Sequence, residues 1–222
     1  MSVILDVTDP QARAEAIGRA VAAINRGDLV VLPTDTVYGI GADAFSHLAV
    51  RDLLAAKGRG RSMPPPVLVP SRRTLDGIAT DISEVTRDLV DVFWPGALTL
   101  VCWAQPSLTW DLGDTRGTVA VRMPAHDVAL ELLVRTGPLA VSSANVHGHS
   151  AATTVEQAHL QLGDAVAVYL DAGPTPGESP STIVDVTGPT PRVLRVGALS
   201  VERLGEVAPA LAGDASSQPP IS

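Results

Sequence analysis

The sequence predicts an α/β protein in which helices cover a β-sheet. Two observations support this fold class. Short apolar runs, such as residues 29–32 and 118–121, alternate along the chain with longer stretches of helical periodicity. Apolar residues make up 45% of the 222 residues and aromatic residues only 3%, so valine, leucine and alanine must form most of the core.

Start and stop signals place the individual elements in order. The first helix ends at Gly27, and Ser83 is a suitable N-cap for the third, on which Val85, Leu89 and Val92 are predicted to face the core. The predicted helices lie at 10–26, 46–57, 83–93, 126–136, 154–162 and 201–207, and the predicted strands at 29–32, 67–69, 97–103, 118–122, 139–142, 165–171, 181–187 and 192–196.

Length and charge limit the kinds of protein that this chain can be. We place one domain at residues 1–212, followed by a tail at 213–222 that we expect to be disordered because it consists of small residues and prolines. We expect a cytoplasmic protein without membrane association, since there is no apolar run of about eighteen residues and no signal-peptide pattern. A net charge of −8 disfavours a protein that coats nucleic acid.

The sequence does not indicate a metal site. Cys102 is the single cysteine and lies in an apolar run, where it is most simply a small core residue. The five histidines lack metal-ligand spacing, and His147 and His149 are most simply part of a polar loop. We therefore assign no metal to protein side chains.

Lys57 is the single lysine in a chain with fifteen arginines, and it begins the cationic string Lys57-Gly58-Arg59-Gly60-Arg61. A helix that starts at Ser46 would end here, so one interpretation is that Lys57 and Gly58 terminate that helix. The other is that a compact ammonium and its guanidinium neighbours bind a phosphate or a carboxylate. The density of cations favours the second interpretation, and the two are compatible.

Polar residues follow two of the predicted strands, at the edge where α/β sheets place ligands. Thr34, Asp35 and Thr36 come directly after the strand at 29–32, and Ser143 and Asn145 follow the strand at 139–142. Both groups combine hydrogen-bond donors and acceptors. Each group is also typical of a turn in which the side chains bond to their own backbone.

Arg122 and Arg195 each end a mainly apolar strand, where a guanidinium can hold a carboxylate or phosphate by two parallel bonds or form a salt bridge at the sheet rim. The glycines of 39–44 imitate a dinucleotide-binding fingerprint, but they do not open a helix, and no Walker A loop is present. A bound nucleotide would therefore depend on dispersed cations, hydroxyls and backbone amides.

Seven short strings follow one another along the chain. They are 32–42 (LPTDTVYGIGA), 57–59 (KGR), 94–99 (WPGALT), 121–124 (VRMP), 143–145 (SAN), 181–183 (STI) and 194–197 (LRVG). Taken together, these strings resemble, in the same order, the motifs of the YrdC/Sua5 family. The resemblance extends from about residue 12 to 205, and it implies a twisted mixed sheet around a large, positively lined cavity. The sequence departs from the family at Leu68, where many relatives have a histidine.

The resemblance also implies an activity, that of an L-threonylcarbamoyladenylate synthase. Such an enzyme joins L-threonine, bicarbonate and ATP to form threonylcarbamoyl-AMP and pyrophosphate, with Mg²⁺ accompanying the ATP. The product then passes to the transferase machinery that modifies adenosine 37 of tRNA, and a weak contact with RNA is compatible with this role.

The resemblance assigns roles to individual residues. Lys57 and Arg59 correspond to the K-x-R pair of the family and are the expected catalytic residues, both in contact with ATP. We therefore expect Lys57→Ala to lower turnover far more than fold stability. The other expected ATP-binding residues are Thr118, Ser143, Asn145 and Arg195, and the expected threonine-binding residues are Thr36, Arg122 and Ser181.

Two other functions fit parts of the sequence. A paralogue of the YciO type would share the cavity but have little or no synthase activity. The basic stretch from Arg51 to Arg73 could instead belong to an RNA-binding module, although the acidic net charge and the scarcity of aromatic residues argue against it. Pyrophosphate release that requires both threonine and bicarbonate would separate these functions.

Overall fold

A computed structural model describes residues 2–177 and 179–212 of the chain. The tail predicted at 213–222 lies outside the described residues. Within the described residues, no helix combines the length and the apolar composition needed to cross a bilayer.

The described strands form one mixed sheet, which confirms the predicted fold class. They are β1 (Val3–Asp6), β2 (Val30–Leu32), β3 (Gly39–Asp43), β4 (Val67–Leu68), β5 (Ala79–Thr80), β6 (Leu98–Ala104), β7 (Thr118–Arg122), β8 (Leu139–Ser143), β9 (Val168–Asp171), β10 (Thr182–Asp185) and β11 (Arg192–Arg195). Their order is β1-β9-β2-β3-β8-β4-β7-β6-β10-β11, with β5 paired to β6. The pairs β1/β9, β2/β9, β4/β7 and β6/β10 are parallel, and the others are antiparallel.

The helices are α1 (Pro10–Asn25), α2 (His47–Ala56), α3 (Thr74–Ile78), α4 (Glu84–Phe93), α5 (Asp127–Thr136), α6 (Val155–Leu162), α7 (Val201–Gly205) and α8 (Pro209–Ala212), with a 3₁₀ turn at Gly163–Ala165. Side chains cap the beginnings of five of these described helices: α1, α2, α4, α6 and α7. The hydroxyl of Ser46 accepts the backbone N–H of Ala49, and that of Ser83 accepts the N–H of Thr86, so both predicted N-caps are confirmed.

The predicted core face of α4 was wrong for two of its three residues. Val85 and Val92 are exposed, whereas Thr86, Leu89, Val90 and Phe93 are buried. The spacing of these four residues also forms one face of a helix, and that face buries Phe93 in place of two valines. Packing against the sheet therefore selects the face with the larger apolar surface.

The sequence pattern missed β3, because two of its five residues are glycines, which are poor strand formers. The strand lies between β2 and β8. A Cβ on Gly39 would lie 2.6 Å from the Cγ1 atom of Val141. The hairpin of β2 and β3 holds the polar loop 33–38 at the carboxyl end of β2.

Helices cover the sheet unevenly. On the β2, β3, β8 and β9 side, α1 and α5 pack on one face and α2 and α6 on the other. Near β6, β7 and β10, the helices α3, α4, α7 and α8 belong to a single apolar cluster on one face. The opposite face of these three strands lines a cavity, through Thr99, Val101, Ala120, Arg122 and Ile183.

Candidate active site

A cavity of about 360 Å³ lies over this face of the sheet. Its walls come from the loop after β2, the segment 64–66, the loop before β7 and the residues around Pro180. Leu68 also lines it and makes that part of the wall apolar. The structure brings most of the predicted site residues together here: Thr36, Arg59, Thr118, Arg122, Ser143, Ser181 and Arg195.

Two guanidinium groups of the cavity, those of Arg59 and Arg195, have no carboxylate partner among the described residues. Arg59 donates to the hydroxyl of Ser142 at 3.2 Å and to Nδ1 of His147 at 3.4 Å, and Arg195, at the more exposed rim, donates to the carbonyl of Ser181 at 2.8 Å. Burial lowers the pKa of both groups, and the charges of Arg122 and Arg59 lower the pKa of Arg195 further. Uncompensated cations in a partly desolvated cavity favour a multiply charged anion.

Around Arg122 the positive charge is balanced. Its side chain is 7% exposed, and its Nη2 donates to Oδ1 of Asp35 at 2.6 Å. Nη1 donates to the hydroxyl of Thr36 at 2.9 Å, and Nε donates to the carbonyl of Gly96 at 2.9 Å. These bonds fix the guanidinium plane beside a hydroxyl, an arrangement suited to a single carboxylate.

Ser181 also lines the cavity. Its carbonyl accepts from Arg195, and its Oγ is 2.8 Å from Oγ1 of Thr99. Thr99 is a cavity residue that the sequence analysis did not assign. The sequence contains a pattern that could have identified it: Thr99 alternates with the buried leucines of β6 and therefore points to the opposite face of the sheet.

Lys57 and Asn145 do not line the cavity. The Lys57 side chain is fully buried behind the turn at 143–145, and its Nζ donates to the carbonyls of Ser143 and Asn145. The side-chain amide of Asn145 donates to the carbonyl of His149 at 2.7 Å. From the sequence, both residues are expected to contact ATP. In the structure neither lines the cavity, and the bonds of Lys57 hold the turn that carries Ser143.

The interpretation of Lys57 as a helix terminus also has a structural basis. Helix α2 ends at Ala56, and Lys57 occupies the C-cap position. Gly58 follows with a φ of +65°, a left-handed conformation that glycine adopts without strain. One residue therefore both ends the helix and holds a distant turn.

Burial, and secondarily the charge of Arg59, lowers the pKa of Lys57 from 10.5 to about 7. The unfolded chain consequently binds more protons than the folded one between these two pH values, so this residue adds stability as the pH rises from 7 toward 10.5. We expect the difference in free energy of unfolding between the wild type and Lys57→Met to grow by roughly 1 to 2 kcal/mol between pH 7 and pH 9. Urea unfolding of both proteins at several pH values measures it, and a pH-independent difference would contradict the assignment.

Comparison with known proteins identifies the family. A family model for Sua5, YciO and YrdC proteins, described as "Telomere recombination", matches residues 22–197. The chain belongs to the Sua5/YciO/YrdC family. A Mycobacterium tuberculosis relative, provisionally named a threonylcarbamoyl-AMP synthase, is 58% identical over 207 residues, which are 93% of this chain and 95% of the relative. A Bacillus subtilis member named threonylcarbamoyl-AMP synthase is 35% identical over 91% of this chain and 58% of its own.

Solved structures of the family share the fold. Pyrococcus abyssi Sua5, crystallised with L-threonine, superposes with a TM-score of 0.88 at 34% identity, over 93% of this chain and 61% of the Sua5 chain. Escherichia coli YciO superposes with a TM-score of 0.83 over 92% of this chain and 100% of its own, but at 22% identity it supports the fold alone.

Proposed function

We propose that this chain synthesises L-threonylcarbamoyl-AMP from L-threonine, bicarbonate and ATP, with release of pyrophosphate. One observation carries the proposal: a single cavity contains Arg59 and Arg195, which have no carboxylate partner among the described residues, and the charge-balanced Arg122. The reaction needs these two environments, because one substrate is a polyanion and the other an amino acid. The names of the family members and the threonine-bound Sua5 structure support the same assignment.

We assign the triphosphate of ATP to Arg59 and Arg195. Guanidinium groups hold phosphate oxygens by paired, charge-assisted hydrogen bonds. Thr118 and Ser143 also line the cavity, and we assign their hydroxyls to ATP; the hydroxyl of Thr118 donates to the carbonyl of Thr115 at 2.8 Å in this structure. Lys57 and Asn145 would contribute by holding the Ser143 turn and not by direct contact with ATP.

We assign L-threonine to Arg122. Arg122 retains N–H groups beyond those bonded to Thr36, Asp35 and Gly96, so it can receive the carboxylate of the amino acid. Thr36, which is bonded to Arg122, and Ser181 supply hydroxyls in the same cavity. In this arrangement the amino group of threonine would face the interior of the cavity, where bicarbonate would be joined to it.

The chemistry follows from positioning and charge stabilisation. The threonine amine takes up bicarbonate, with loss of water, to form a carbamate, and a carbamate oxygen attacks the α-phosphorus of ATP. The bond between the α-phosphorus and the bridging oxygen breaks, and pyrophosphate leaves with the electron pair. Arg59 and Arg195 stabilise the charge that moves onto this leaving group, so no side-chain nucleophile is required.

Mg²⁺ fits this scheme as a companion of ATP. Among the described residues, no group of three or more His, Cys, Asp or Glu side chains could hold a metal ion. The ligands of Mg²⁺ would then be phosphate oxygens and water, which suits a cation that retains several waters. When bound, it would neutralise part of the charge of the triphosphate.

Purified protein tests the proposal directly. We expect pyrophosphate release from ATP only when L-threonine and bicarbonate are both present, and a nucleotide product whose mass equals threonylcarbamoyl-AMP. Release that is independent of threonine would contradict the function, and so would the absence of release with all substrates and Mg²⁺ present. The second result would favour the YciO-type alternative.

We extend the proposal to the cellular role. The product would pass in the cytoplasm to the transferase machinery that modifies adenosine 37 of tRNA. Transfer of the threonylcarbamoyl group to tRNA, in an extract depleted of the endogenous synthase and supplied with this protein, tests that step.

A further inference from the structure

We propose that Asp35 makes the Arg122 end of the cavity selective for a zwitterionic amino acid by cancelling the charge of that guanidinium. The inference rests on the proposed function and adds a residue to it. Asp35 has no role in the assignment made from the sequence. It would act as a specificity residue from behind the cavity wall.

The geometry shows how Asp35 acts on Arg122. Its Oδ1 accepts from Nη2 of Arg122 at 2.6 Å and from the backbone N–H of Ala125 at 2.9 Å. The two charged side chains are 14% and 7% exposed, so water screens the pair only weakly. Asp35 does not line the cavity, although its neighbours Thr34 and Thr36 do. The charge of its carboxylate therefore acts on a bound ligand without direct contact.

The pairing with Asp35 distinguishes Arg122 from the other two arginines of the cavity. Arg59 and Arg195 also face the cavity, but among the described residues neither has a carboxylate partner. If Asp35 were neutral, the cavity would contain three guanidinium groups, those of Arg59, Arg122 and Arg195, without a carboxylate partner among the described residues. A triphosphate or pyrophosphate could then bind across them and block the threonine site.

Electrostatic selection depends on the net charge of the ligand. A zwitterion has no net charge, so repulsion of its carboxylate by Asp35 is offset by attraction of its ammonium. Pyrophosphate carries several negative charges, and each is repelled by Asp35 without compensation. Removing this carboxylate should therefore strengthen polyanion binding at Arg122 far more than it strengthens threonine binding.

Calorimetric titrations with L-threonine, in the presence and absence of inorganic pyrophosphate, test the proposal. Asp35→Asn keeps an acceptor oxygen for Arg122 and Ala125 but removes the charge. Asp76→Asn is the matched control, because it removes the same charge from an exposed pair with Arg87, away from the cavity. Asp35→Glu restores the charge and should restore the exclusion of pyrophosphate.

We expect pyrophosphate to weaken threonine binding at least ~10-fold more in Asp35→Asn than in the wild type, in Asp76→Asn or in Asp35→Glu. Equal competition in all four proteins overturns the inference while leaving the proposed function intact. A wild type that binds no threonine overturns the proposed function instead, and the inference with it. Thermal unfolding confirms that each variant is folded, and Asp35→Ser replaces Asp35→Asn if the latter is not.

Discussion

Replacement of Arg59 or Arg195 by alanine lowers the affinity for ATP by roughly 10- to 100-fold, because each change removes charge-assisted hydrogen bonds to phosphate. The effect is large because neither guanidinium is neutralised by a carboxylate of the described chain. Calorimetric titration with a non-hydrolysable ATP analogue measures it, since the binding step is then separated from the chemistry.

Arg192→Ala is the matched control for Arg195→Ala. Both residues lie on β11, but Arg192 is exposed and pairs with Asp185 at 2.9 Å. Both variants lose one positive charge, so an effect of net charge alone would appear in each. If Arg192→Ala weakened ATP binding as much as Arg195→Ala, the assignment of Arg195 to the phosphate site would be wrong.

Lys57→Met lowers both the stability of the protein and its affinity for ATP. The methionine fills most of the space of the lysine but leaves the carbonyls of Ser143 and Asn145 without their donor. Buried acceptors that lose a charged partner cost about 3 kcal/mol in total, and the turn that presents Ser143 to the cavity loses its support. This expectation replaces the one from the sequence, in which Lys57→Ala mainly lowers turnover.

Urea unfolding and ATP titration of Lys57→Met test this prediction together. Arg51→Met is the control, because Arg51 is an exposed cation on the same helix and pairs with Asp52. Its effect on stability should stay within about 0.5 kcal/mol. A Lys57→Met protein with wild-type stability but little turnover would show instead that the ammonium acts on the phosphates themselves.

Much of the fold is predictable because its determinants are local. The caps at Ser46 and Ser83, the helix stop at Gly27 and the alternation of β7 depend on neighbours a few residues away. β3 and the buried face of α4 were missed for the opposite reason. The tight fit of Gly39 against Val141, and the burial of Phe93 in place of Val92, depend on which distant elements pack there.

The candidate active site also has some features that are set locally and others that depend on tertiary contacts. By itself the sequence determined the chemical groups: the ordered motifs, the cations at 57–61 and the strand-end arginines that place the chain in its family. Only the tertiary structure decided their environments. It leaves Arg59 without a carboxylate partner in the described part of the chain, pairs Arg122 with Asp35 across 87 positions and buries Lys57 against a turn 86 to 88 positions away. The physical reason is that the identity of a charge is a local property, whereas its solvation and its partners depend on contacts made after the chain has folded.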